Sequence, residues 1–305
     1  MTFVTELGTI FLNALLPLLL YCSIGVAAFR FLDLDRQTLS RFTIYILLPP
    51  LIFSNLMAVQ VAGPDVFRVA LFCLAILGSM ALLGLVYSTL VGFDKATTSS
   101  TVLSTTFFNA VNLGFPVALF AFGEEGLRYA GLLVAVNAIP HNGFGLYVAA
   151  RGQMSRRNAF IALARMPIFY VLLLATLLRL LDTAPPPAVM VPITALGEAA
   201  IPVILVCVGM ELASIKIQVP PPKLVGVVLL RLCLAPLVAA FITHLIGIDG
   251  LLKSVLILLA SMPSAMAPIV YARMFGGNVE SLTQAVFYST LGCFISLPLV
   301  LVVLR

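Results

Sequence analysis

The strongest constraint on this chain is a recurring length: apolar stretches of about 20 residues follow one another along nearly all of its 305 residues. Each is long enough to cross the ~30 Å hydrocarbon layer of a bilayer as a helix. With 62% of residues hydrophobic and only 10% charged, a water-soluble globule would lack the polar residues to cover its surface. The chain therefore reads as an all-α polytopic membrane protein, with ten spans expected at 8–29, 38–57, 66–92, 97–122, 127–149, 159–181, 192–210, 223–246, 252–275 and 281–304.

The first apolar stretch has no basic residue ahead of it and no small-residue cleavage pattern, so it is expected to be a retained span rather than a secretory signal. The five cysteines all fall within spans without paired spacing, which makes them small buried hydrophobes; neither disulfides, a metal nor a cofactor is implied. The net charge of +5 is spread over loops, which argues against nucleic acid as a partner and for topology. Eleven Lys and Arg fall in the odd-numbered loops and five on the other face. By the positive-inside rule the odd loops are cytoplasmic and both termini lie outside, with Arg151, Arg156 and Arg157 the strongest inside marker.

The two halves echo one another. Pro49 and Pro202 are 153 residues apart, Pro116 and Pro268 are 152 apart, and Gly123 and Gly276 are 153 apart. A repeat of five spans inverts its second copy, so residues 1–153 and 154–305 are expected to be two inverted five-helix repeats. Interrupted helices at matching positions of such repeats point to a transporter's binding site near the bilayer midplane.

Those interruptions are legible. In span 4, "FFNAVNLGFP" places Asn109, Asn112, Gly114 and Pro116 where lipid-facing helices carry leucine. In span 9, "SMPSAMAP" places Pro263, Ser264 and Pro268. A broken helix in lipid leaves amides and carbonyls that only protein or a wet cavity can satisfy. The second half-helices are expected to run from Pro116 to Gly123 and from Pro268 onward, and the two breaks to cross. Each half-helix start carries roughly half a positive charge. Neither 96–123 nor 251–276 contains Asp or Glu, so the expected occupant is an anion held by Asn109, Asn112, and the amides around Gly114, Pro116, Pro263, Ser264 and Pro268.

Other polar residues keep two readings each. Arg231 lies about nine residues, or roughly 13 Å, into span 8, and either attracts an anion or pairs with Glu211 or the carbonyls of a broken helix. His141, with Asn137 and Asn142 nearby in span 5, either carries a coupled proton or is a hydrogen-bonded core residue. Glu198 either caps span 7 or takes part in coupling, and Tyr271, Tyr288, Gln284 and Ser289 either line a cavity or join helices. No nucleophile elbow, zinc-protease helix or P-loop is present, so no enzymatic reading stands.

The stretches "NAVNLGFPVALFAFGEEGL" (109–127), "RLCLAPLVAA" (231–240) and "ASMPSAMAPIVYARMFGGNVESLTQAVFYSTLGCFISLPLVLV" (260–302) resemble the auxin efflux carrier family, in its bacterial organic-acid permease branch. The resemblance implies the crossing fold shared with sodium/proton antiporters and bile-acid symporters, a scaffold of spans 1, 2, 6 and 7, and a transport domain of spans 3–5 and 8–10. It also implies carboxylate cargo such as malonate, malate or auxin-like acids, an elevator motion, and homodimers through the scaffold. The loop between spans 5 and 6 is about ten residues long, far shorter than in the plant exporters, which argues against auxin itself. Efflux or facilitated diffusion across an inner membrane is the expected activity. A sodium- or proton-coupled symporter and a non-transporting anion sensor are the alternatives.

Overall fold

A computed structural model describes residues 8–32, 34–59, 63–150, 167–214, 220–275 and 277–304. The inside marker at Arg151, Arg156 and Arg157 lies outside the described residues. Among the described residues the chain is helical, with no strand beyond one isolated bridge. Among the described residues six helices are long and apolar enough to cross a membrane: α1 (Gly8–Phe31), α2 (Arg36–Ala58), α3 (Gly63–Val91), α7 (Pro187–Ser214), α8 (Pro222–Ile246) and α11 (Val279–Leu304). They coincide within a few residues with expected spans 1, 2, 3, 7, 8 and 10. The protein is a multi-pass membrane protein.

The remaining helices are shorter or bent. Span 4 is α4 (Lys95–Thr106) followed, after an extended stretch, by the start of α5 (Phe115–Ala150). Span 5 continues α5 past Gly123, whose φ of 70° and ψ of −164° break the helix. Only glycine enters that region of backbone space without strain. Span 6 is described as α6 (Pro167–Leu180). Span 9 is α9 (Gly250–Ala260) and α10 (Ala267–Phe275), separated by six non-helical residues.

Among the described residues four segments widen into a π-turn: Phe11–Leu15, Thr43–Leu47, Ala110–Gly114 and Leu230–Leu234. Each is followed two residues later by a proline, namely Pro17, Pro49, Pro116 and Pro236. The cause is common. A proline inside a helix has no N–H to donate and its ring presses on the carbonyl four residues back, and one extra residue in the preceding turn relieves both.

The helices pack as two groups. In the first, α7 lies along α1 and α2, and α2 also contacts α6. Where α1 meets α7 the backbones touch: a Cβ on Gly25 would run into the Val206 carbonyl, and one on Gly209 into that of Cys22. In the second, α3 packs on α4, α5 and α8, α11 on α4 and α8, and α5 on α9 and α10. The groups meet chiefly where α2 lies against α5. A buried apolar core that includes the fully buried Phe72, Phe115, Ile52 and Leu133 joins the helices.

Candidate functional site: the helix crossing

The two interruptions run antiparallel to each other. Asn109 donates its amide to the Pro263 carbonyl at 2.8 Å, and Ala265 donates to the Phe107 carbonyl at 2.8 Å, with Phe108 bridged to Ser264. Each broken segment thus satisfies the other's backbone where lipid and core offer nothing. Ser264 adds two clamps: its hydroxyl donates to the Ser104 carbonyl at 2.7 Å, and its amide donates to the Ser289 hydroxyl at 3.1 Å. Ser289 is fully buried and serves the crossing rather than a cavity.

Arg231 closes the back of this crossing. It is fully buried in the π-turn of α8 and donates to Met262 O at 2.9 Å, to Thr105 O at 2.8 Å, and to Ala260 O. These carbonyls end or follow α4 and α9, where the helix dipoles are negative. Of the roles open to Arg231, the carbonyl contacts are the ones formed, whereas the pairing with Glu211 is not, and the guanidinium does not line the cavity described below. Its charge lies 5.5 Å from the Phe108 ring centroid, so that one aromatic ring separates it from the cavity.

The front of the crossing opens into a cavity of about 420 Å³. Phe107 to Asn112 and Ala265 to Ala267 form one wall, where the first turns of the two second half-helices begin. Val134, Asn137, Ala138 and His141 of α5 form another, and Ser40, Ile44 and Leu48 of α2 with Glu211 of α7 complete it. Asn109 caps its half-helix, its Oδ1 accepting from the Asn112 amide at 3.1 Å. No described residue accepts from the Asn109 carboxamide NH₂ or hydrogen-bonds the Asn112 side chain, which leaves both as donors at the cavity.

The half-helix does not start at Pro116 as the sequence reading expects. It starts at Ala110, because the π-turn that Pro116 imposes reaches back to the Asn109 cap. Pro116 and Gly114 are therefore off the cavity wall; Gly114 lies against Leu259, whose Cδ2 a Cβ would meet at 2.5 Å. Pro263 and Ser264 form the crossing itself, and Pro268 sits in the first turn of α10. Of the span 5 residues, Asn137 Nδ2 lies 3.1 Å from His141 Nδ1, and the His141 ring packs 3.8 Å from that of Phe107. The Asn137 Oδ1 is buried without a partner. The Asn142 side chain lies outside the described residues. Tyr271 packs edge-on against Phe107 at 6.4 Å and is not part of the wall.

A second cavity, of about 450 Å³, lies at the other end of α2, lined by Leu51, Asn55 and Ala58 together with Glu124 and Arg128 of α5 and Glu198 of α7. Along α2 the two cavities are separated by the step from Leu48 to Leu51. Among the described residues, no cluster of three or more His, Cys, Asp or Glu has the arrangement of a metal site.

The sequence profile of the family described as "Membrane transport protein" matches residues 10–153 and 153–301, which is almost the whole chain. The chain belongs to this family. It is the auxin efflux carrier family that the motifs at the two crossings resemble. An uncharacterized transporter of Methanothermobacter thermautotrophicus is 30% identical over 279 residues, covering 88% of this chain and 89% of the relative. An uncharacterized transporter of Methanocaldococcus jannaschii is 27% identical over 182 residues, covering 58% of this chain and 59% of that protein. Membership makes membrane transport the broad role of the protein.

Sequence reasoning missed Glu211 as a cavity residue. The span expected over 192–210 stops short of it, whereas α7 continues to Ser214 and carries the carboxylate to the cavity. The available signal is that the apolar run 203–208 continues through Gly209 and Met210 to Leu212 and Ala213, with Glu211 the single charged residue between Pro202 and Ser214.

Proposed function

We propose that this family member is a secondary transporter of small organic anions, carboxylates such as malonate or malate, across an inner membrane. One observation carries the reading: two helix starts and two asparagine carboxamides meet at one cavity. Amides at a helix N-terminus favour negative charge, and carboxamide NH₂ groups add donors that a carboxylate accepts. Arg231 adds positive charge behind Phe108.

In this reading the chain forms ten spans in two inverted repeats, with both termini outside. The group containing α3–α5 and α8–α11 slides as an elevator against a scaffold of α1, α2, α6 and α7, through which two copies dimerise. The cavities at the two ends of α2 support alternating access, the one beside Ser40 and Glu211 being open toward the cytoplasm. An inside-negative potential favours anion exit by about 2.3 kcal/mol per charge per 100 mV, so export or facilitated diffusion proceeds without a coupling ion.

Purified protein screened by thermal shift against malonate, malate and indole-3-acetate, with and without sodium, gives a ligand-dependent rise in Tm. Liposomes holding the protein then release the stabilising anion. Binding without flux would turn the reading into that of a sensor, and flux that requires sodium into that of a symporter.

A further inference from the structure

We propose that Glu211 makes the affinity of the crossing cavity depend on protonation, weakening anion binding when ionised and permitting it when neutral. The inference rests on the anion-transport reading above and adds a residue that the crossing helices do not supply.

Glu211 lines the same cavity as the Asn109 to Asn112 turn and the start of α10, but from α7. Its carboxylate has no hydrogen bond and no cation within ion-pair distance among the described residues. Among the described residues the cation whose charge reaches it is Arg36 of α2, which spends one guanidinium nitrogen on the Ser214 hydroxyl, and that hydroxyl donates onward to the Glu211 main-chain carbonyl at 2.8 Å. From α5 the facing titratable group is His141, whose Nδ1 is engaged by Asn137. On α7 itself Cys207 lies one turn back, with its sulfur 3.8 Å from the Thr43 hydroxyl. From α1 the contact is backbone, the Cys22 carbonyl facing Gly209.

An ionised carboxylate and an anionic cargo in one cavity repel each other, as two carboxylates sharing a site do. The amide wall favours the cargo, so relief comes through the other partner: Glu211 takes up a proton as the anion binds. Linkage fixes the sign. If cargo binding adds a proton to Glu211, affinity rises as pH falls, by at most about tenfold per pH unit, and flattens once the group is neutral in the free protein. Because Glu211 belongs to α7 and the binding wall to the crossing, the effect acts on the cavity as it stands in this state. Cytoplasmic acidification then tightens anion binding and alkalinisation promotes release.

The test is equilibrium binding of radiolabelled malonate to purified protein from pH 5.5 to 8, for the parent, Glu211→Gln, Glu211→Met and Asn109→Ala. Malonate's own ionisation enters every curve alike, so the parent-minus-variant difference isolates Glu211. The expected result is that both Glu211 variants bind several-fold tighter than the parent at pH 8 and converge with it at pH 5.5. Parallel curves with equal affinity would overturn the role of Glu211 and leave the anion site intact, as would weaker binding by both variants at pH 8. Absence of malonate binding by the parent and both Glu211 variants at every pH would overturn the malonate reading itself. A Tm within a few degrees of the parent certifies folding, and two substitutions of different polarity guard against the failure of one.

Discussion

The Asn109 amide and the Pro263 carbonyl, 2.8 Å apart, join segments 154 residues apart in sequence and hold the two broken helices tip to tip. Because that bond uses the backbone, the Asn109 side chain is left for two other tasks: capping the Asn112 amide and presenting its NH₂ to the cavity.

Asn109→Ala separates these tasks. The backbone bond survives, the lost cap costs about 1 kcal/mol, and loss of a donor to a carboxylate costs about 1.5–3 kcal/mol of binding. Anion affinity should fall about 10- to 100-fold, with the protein still folded. Liposome flux and thermal unfolding on the same preparation check it, and normal flux would reject the site.

Arg231→Met removes a buried guanidinium from the carbonyls of Thr105, Ala260 and Met262. Three acceptors at two negative helix ends are then left unpaired in the core. We expect a loss of about 3–5 kcal/mol and a poorly folded product, with partial recovery in Arg231→Lys, which keeps the charge but cannot fork to all three. Size-exclusion profiles and unfolding midpoints decide between these outcomes.

Gly123→Ala puts a Cβ at φ 70° and ψ −164° where nothing lies within 4 Å, so any cost is purely conformational. About 1–3 kcal/mol is expected, read as a lowered unfolding midpoint with anion affinity unchanged. A neutral result would mean that the turn between spans 4 and 5 relaxes.

Ser40 lines the crossing cavity and Thr194 of α7 lines the second one, so Ser40→Cys and Thr194→Cys probe the two cavities separately. In a variant lacking the native cysteines, an impermeant thiol reagent should modify position 40 only from the cytoplasmic side and position 194 only from the other. Reversed labelling would invert the proposed orientation.

Much of this architecture was legible because lipid punishes ambiguity. Spans 1, 2, 3, 7, 8 and 10 follow from apolar length alone, and Pro116 with Pro263 and Pro268 marks the two interruptions. What was less legible is how far a proline acts: from sequence Pro116 looks like a starting residue, but the extra residue of its π-turn moves the start back to Ala110. Glu211 was hidden by a span boundary set four residues early. The third carbonyl partner and the exact fork of Arg231 depend on where α4 and α9 end in space, which no local pattern encodes.

The step from Leu48 to Leu51 carries a last implication. Three residues span about 4.5 Å of helix axis, so along α2 the linings of the two cavities lie within one helical turn of each other. Under the proposed transport reading, Leu48 and Leu51 insulate one cavity from the other at this helix, and a polar replacement at either is expected to raise passive ion leak before it unfolds the protein.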